Sequence, residues 1–271
     1  MDGVTAMFGR LANGFWRQGL ACGLMALVMS TAAVGEDEVI RLASGTEIAS
    51  ERYAASGPAL VVWITGQHGR VEEERKAAAD MAAQGVETWL TDFFVPYFLP
   101  LVASSWSQVP DADLAEWLES LRQRHPGRRI VLVSAGRGAT LALRAVRAWE
   151  ARHGAGVRPV AGALMLYPLL YRDLDPGQEP EYDPVVNQVR LDLVILQPKS
   201  SAGFWWRERL KGFLEEAGSR VSLTVLPGLR DSFYRRSDIN PQEIAASQRL
   251  GQIVLDGLKP LLEPLTGKDQ P

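Results

Sequence analysis

The chain has 271 residues, 46% of them apolar and 23% charged, with a formal net charge of −3. This is the composition of a soluble globular protein, and length alone allows one large domain or two small ones. Lys and Arg are spread along the chain, so bulk charge gives no footprint for nucleic acid and no pull toward anionic lipid.

The first 35 residues differ in kind from the rest. Arg10 and Arg17 precede an apolar run at 20–29, then small residues (STAAVG), then Glu36, Asp37 and Glu38. A basic leader, a short apolar core and a small-residue exit predict a secretory signal peptide over 1–35, with a mature domain over 36–271. Cleavage is expected after Gly35, with Ala33 as the second choice, and Met7 is an alternative start. The expected location is the periplasm or the medium, without a stable membrane anchor, because a spanning helix needs roughly twenty apolar residues. The competing reading is a buried N-terminal helix. Cys22 is the only cysteine and lies inside this leader, so the mature domain would carry neither a disulfide nor a thiol nucleophile. Lipidation of Cys22 is rejected, because Gly19 stands where that site requires Leu and the cysteine sits near the start of the apolar core.

From Val39 onward, strand and helix patterns alternate. A buried strand is predicted over 59–65 (ALVVWIT), followed by a helix over 71–84 that Gly85 ends and a strand over 86–91. Residues 111–124 form an amphipathic helix with Leu114, Trp117, Leu118 and Leu121 on one face, stopped by Pro126 and Gly127. A third strand at 129–134 leads into a helix at 139–152. Strands follow at 160–167, 191–197 and 220–226, with helices over 204–217 and 241–262. Val/Ile/Leu-rich strands alternating with helices predict an α/β fold, a single domain whose mostly parallel central sheet is flanked by helices. Two stretches break the rhythm: the aromatic 93–109 and the Pro-, Asp- and Tyr-rich 168–188. Irregular loops of this kind gather at the carboxyl ends of parallel strands, where open sheets bind ligands.

The segment 129–144 (RIVLVSAGRGATLALR) resembles the nucleophile elbow of the α/β-hydrolase superfamily, where a buried strand runs through G-x-S-x-G into a helix. Three further pieces match in order. Gly66, Gln67, His68 and Gly69 resemble the oxyanion loop. Residues 193–198 stand where the strand leading to the acid belongs. Residues 225–233 (VLPGLRDSF) resemble the stretch that carries the histidine. The resemblance implies an α/β-hydrolase-like domain, yet its Ser–Asp–His triad is missing. Gly136 falls on the nucleophile, 197–201 (QPKSS) holds no carboxylate, and Asp231 falls on the histidine. Loss of such a triad removes most of the rate enhancement. His125 and His153 fall in turns at the opposite edge of the sheet, leaving His68 as the one histidine near the cleft.

The candidate catalytic residues are therefore Ser134, His68 and Asp231. Ser134 reads either as a displaced nucleophile or as a small residue that lets the elbow helix pack closely. Asp231 reads as a cap or a holder of Arg137, or else as a general base or metal ligand, although no ligand spacing supports a metal set. The candidate ligand-binding residues are Gly66, His68, Gly136, Arg137, Gly138 and Arg230. Two guanidinium groups above a helix N-terminus suit a carboxylate or phosphate, whereas pairing with Asp231 or Asp92 would make the arginines structural. The GRGA run lacks the features of a nucleotide loop, and no cofactor is expected. Aromatic residues of the top loops either line a cleft for an aromatic ligand or close over the core. Two functions follow: a non-catalytic binding or accessory protein whose former active-site cleft takes an anionic or aromatic ligand or a protein partner, or an esterase-type hydrolase with a non-standard site.

Overall fold

The computed structural model describes residues 35–66, 69–154, 156–171 and 179–262, all within the unit Ala32–Pro271. Residues 1–34 of the predicted leader, and His68, lie outside the described residues.

The strand-forming stretches pair into one eight-stranded sheet: β1 (Glu36–Arg41), β2 (Glu47–Tyr53), β3 (Ala59–Ile64), β4 (Glu87–Thr91), β5 (Arg129–Ala135), β6 (Gly162–Leu166), β7 (Asp192–Pro198) and β8 (Arg220–Leu226). Their spatial order is β1-β2-β4-β3-β5-β6-β7-β8, antiparallel from β1 to β4 and parallel from there on. Among the described residues six α-helices accompany them: α1 (Glu72–Ala83), α2 (Asp111–Arg124), α3 (Gly138–His153), α4 (Ala202–Glu216), α5 (Pro241–Gln248) and α6 (Leu250–Leu262). The expected mostly parallel sheet is present.

The pleat sends successive residues to opposite faces. Leu60, Val62 and Ile64 pack with α2, α3 and α4 on one side, while Val61 and Trp63 pack with α1 and α6 on the other. Both faces of the central strands are covered, which is why 59–64 reads as a continuous apolar run rather than an alternating one.

Two features depart from the sequence reading. The β1–β2 hairpin was not anticipated, because EDEVIR and EIASERY bury only one face at the sheet edge and carry charges on the other. The expected helix over 241–262 is two helices that break at Arg249. Asn240 caps the first in a reciprocal box with Glu243.

At the amino ends of the strands, Glu87 opens β4 with its side chain only 2% exposed and pairs with both Arg52 and Arg128. The indole of Trp89 also donates to it, at 2.9 Å. Burial alone would raise its pKa, but hydrogen bonds from Arg52, Arg128 and Trp89 pull it down to about 2. This ion cluster sits at the end of the sheet opposite the carboxyl ends.

Candidate functional site

The order β4-β3-β5 places the topological switch between β3 and β5, where a crevice opens beyond the carboxyl ends of the strands. A cleft of about 190 Å³ lies there, lined by Gly66 after β3, Gly136 and Arg137 after β5, Tyr167 after β6, and Asp231, Ser232 and Arg235 after β8. It shares Trp106 and Arg137 with a larger groove of about 600 Å³ that also touches Arg144 and Arg147.

Gly136 is the apex of the turn between β5 and α3. Its φ is +56°, in the left-handed region, and its N–H donates to the Leu166 carbonyl at 3.0 Å. Glycine adopts this geometry without steric cost. A Cβ placed there would meet Tyr167 at 3.5 Å, an ordinary contact, so the apex has room for a side chain that the sequence does not supply. Among the described residues three non-glycines have positive φ, and two of them, Tyr167 (+39°) and Ser232 (+56°), line this cleft. Such positions cost about 1–3 kcal/mol each and persist where the surroundings enforce them, commonly at ligand sites.

The described candidates separate cleanly. Gly66, Gly136, Arg137 and Asp231 meet in the cleft, and Gly138 follows directly as the first residue of α3. Ser134 does not join them. It is fully buried, lies on the α2/α3 side of β5, and its hydroxyl has no partner. A Cβ at Gly138 would come 3.6 Å from the Ser134 Cβ, so the pair of small residues lets α3 start close against the strand. Arg230 is also elsewhere. Its guanidinium is held by the buried Glu243, through Nε at 2.8 Å and Nη2 at 2.6 Å, and by Asp238. It ties the late loop to the start of α5, so neither Asp231 nor Asp92 is the partner that the sequence reading offered. The guanidinium of Arg137 reaches the Tyr171 carbonyl at 3.0 Å.

At the carboxyl end of β7, the Gln197 amide donates to Ser201 at 2.7 Å, and Ser201 donates to the Pro198 carbonyl. Asp231 keeps one carboxylate oxygen buried without a partner. Burial pushes its pKa up to about 6, offset in part by the nearby Ser201 hydroxyl and Arg236.

Arg235 was missed by the sequence reading. It enters the cleft from the turn after β8 and packs against Gly66, where a Cβ would overlap Nη1 and push the guanidinium aside. Nη2 donates to the Tyr167 hydroxyl at 3.2 Å, while Nε and Nη1 are buried without acceptors. Among the described residues no group of His, Cys, Asp and Glu could hold a metal ion, and no helix is long and apolar enough to cross a membrane.

Solved structures superimpose on this chain over most of their length. A dienelactone hydrolase assignment from Klebsiella pneumoniae superimposes with a TM-score of 0.60 at 16% identity, covering 83% of this chain and 98% of that one. Esterase 2 of Thermogutta terrifontis in its tabun-modified form gives 0.58 at 15% identity, covering 86% and 98%. Its propionate-bound form gives 0.57 at 15% identity, covering 88% and 98%. The chain has the α/β-hydrolase fold. No family model and no curated protein matches it by sequence. At these identities the likeness is one of fold, and in this chain the turn from β5 into α3 carries glycine at its apex.

Proposed function

We propose that the protein binds a small anionic ligand, a carboxylate or phosphate, in the elbow cleft and does not act as a serine hydrolase. Arg235 carries this reading: a buried guanidinium with two nitrogens lacking acceptors, beside a glycine apex that cannot attack a substrate. A buried unsatisfied donor costs about 1–3 kcal/mol, a deficit that a bound anion removes. The propionate held by one structural neighbour is a ligand of this class. A second reading, hydrolysis through a non-standard site, is supported by Asp231, whose pKa of about 6 suits a general base.

One experiment separates the two. A fluorophosphonate probe, which labels activated serines, should leave the protein unmodified, and short-chain esters should not be turned over. Ester turnover that disappears in Asp231→Asn would replace the first reading with the second, and an adduct mapped to Ser134 would do the same for a serine-based site.

Export belongs to the same proposal, on the strength of the basic, apolar and small-residue order of 1–35. Intact-mass measurement on protein from the periplasm or medium is expected to show a chain starting at Glu36 or Val34. Full-length chain confined to the cytoplasm would end that part of the proposal.

A further inference from the structure

A chain of buried hydroxyls runs from the cleft to a carboxyl group that the anion site does not touch. Arg235 donates to the Tyr167 hydroxyl at 3.2 Å, Tyr167 donates to Tyr234 at 3.1 Å, and Tyr234 donates to Glu74 of α1 at 3.0 Å. Glu74 and both tyrosines are buried, and the second carboxylate oxygen of Glu74 has no partner. With Glu74 ionised, every proton in the chain points toward Glu74, and its charge opposes that of Arg235. With Glu74 protonated, the order can reverse: Glu74 donates to Tyr234, Tyr234 to Tyr167, and the Tyr167 hydroxyl turns its proton into the cleft beside Arg235.

We propose that Glu74 is a positioning residue that couples anion binding in the cleft to the uptake of one proton from solvent. This rests on the anion-binding reading above and adds the state in which the site binds. The protonated state offers an anion a second donor and an uncompensated guanidinium, whereas the ionised state offers neither. The anion stays charged throughout, and the proton resides on the Glu74 carboxyl.

The surroundings agree. Burial pushes the Glu74 pKa up to about 7, opposed by the charge of Arg235 and the hydrogen bond from Tyr234, with Glu73 adding repulsion. A bound anion offsets the Arg235 charge and raises it further. Among the described residues, the other elements flanking α1 bring no competing free charge to this point. Glu51 of β2 accepts from Arg75 and from the Tyr53 hydroxyl, Glu87 of β4 engages Arg52 and Arg128, and α6 presents Leu250 and Val254. Among the described residues, Asp231 is a titrating group of the cleft itself, with its pKa pushed by burial up to about 6.

Acetate, which does not titrate near neutrality, is the probe. Calorimetric titration of the full chain from pH 5.5 to 8.5, in two buffers of different ionisation heat, should show proton uptake near pH 7. Affinity should fall about tenfold from pH 6.5 to 8.5, within the range of about 5–150-fold usual for coupled sites. Glu74→Gln should bind acetate with no uptake and no fall over that interval. If that variant fails to fold, Tyr234→Phe cuts the chain at its middle and should flatten the same step. Asp231→Asn should remove only the separate effect near pH 6. Acetate binding that Arg235→Ala abolishes, yet is flat from pH 6.5 to 8.5, would overturn the coupling and leave the anion site standing. A step unchanged in Glu74→Gln or Tyr234→Phe overturns it equally, and absence of acetate binding at every pH removes both proposals.

Discussion

Arg235→Ala should weaken acetate and inorganic phosphate tenfold or more, and Arg230→Ala should leave both affinities as they were. The contrast follows from what each guanidinium already holds. Arg235 has Nε and Nη1 buried without acceptors, so its donors are available to a ligand in the cleft. Hydrogen bonds to charged groups contribute roughly 1.5–3 kcal/mol each, and about 1.4 kcal/mol is one decade of affinity. Arg230 spends Nε, Nη1 and Nη2 on Glu243 and Asp238. Removing it strands the buried Glu243 carboxylate, so that variant should lose thermal stability instead. Arg235→Lys keeps the charge but not the planar fork, and should fall between wild type and Arg235→Ala. Thermal shift and calorimetry on all four proteins check this. Anion affinity lost in Arg230→Ala and retained in Arg235→Ala would move the site to Arg230 and refute the assignment.

Glu87→Ala should cost the fold about 3 kcal/mol near neutral pH, read by urea denaturation as a lower midpoint. Breaking a buried ion pair by removing one partner costs roughly 3–5 kcal/mol, and the low end applies because Arg52 and Arg128 are partly exposed. In a domain of this size that corresponds to a fall of about 10 °C in Tm. The pH dependence has a definite sign. The folded-state pKa of Glu87 is depressed to about 2 from 4.5, so its contribution is complete above about pH 4.5 and is lost as pH falls toward 2. The gap between wild type and variant should therefore shrink below pH 4. A gap that is under 1 kcal/mol at pH 7, or that is the same at pH 3, would show that the cluster is not a stabilising one. Because Glu87 stands at the amino end of β4, away from the cleft, acetate affinity should not change in this variant.

The sequence by itself determined the sheet-and-helix architecture and the glycine at the elbow apex. Both are local: runs such as ALVVWI can satisfy their backbone and bury their side chains only as central strands, and Ser134-Ala135-Gly136-Arg137-Gly138 fills a recognisable strand–turn–helix register. It also placed Gly66, Gly136, Arg137 and Asp231 on the loops that converge. The β1–β2 hairpin escaped because a one-faced edge strand rich in charge leaves a weak apolar pattern. Which arginine serves the cleft was decided only by tertiary structure. Arg230 and Arg235 sit five residues apart in one loop, and nothing in their neighbours' identity tells that Glu243 will claim the first. The second is found by the Gly66 backbone and the Tyr167 hydroxyl. Glu74 was equally invisible, as the third of three consecutive glutamates at a helix start, the usual pattern of a solvated first turn. Its burial comes with the packing of α1 against the turn after β8, where Tyr234 reaches it across 160 residues of sequence. Pairing and burial between segments so far apart depend on how whole elements pack, and local composition does not encode that.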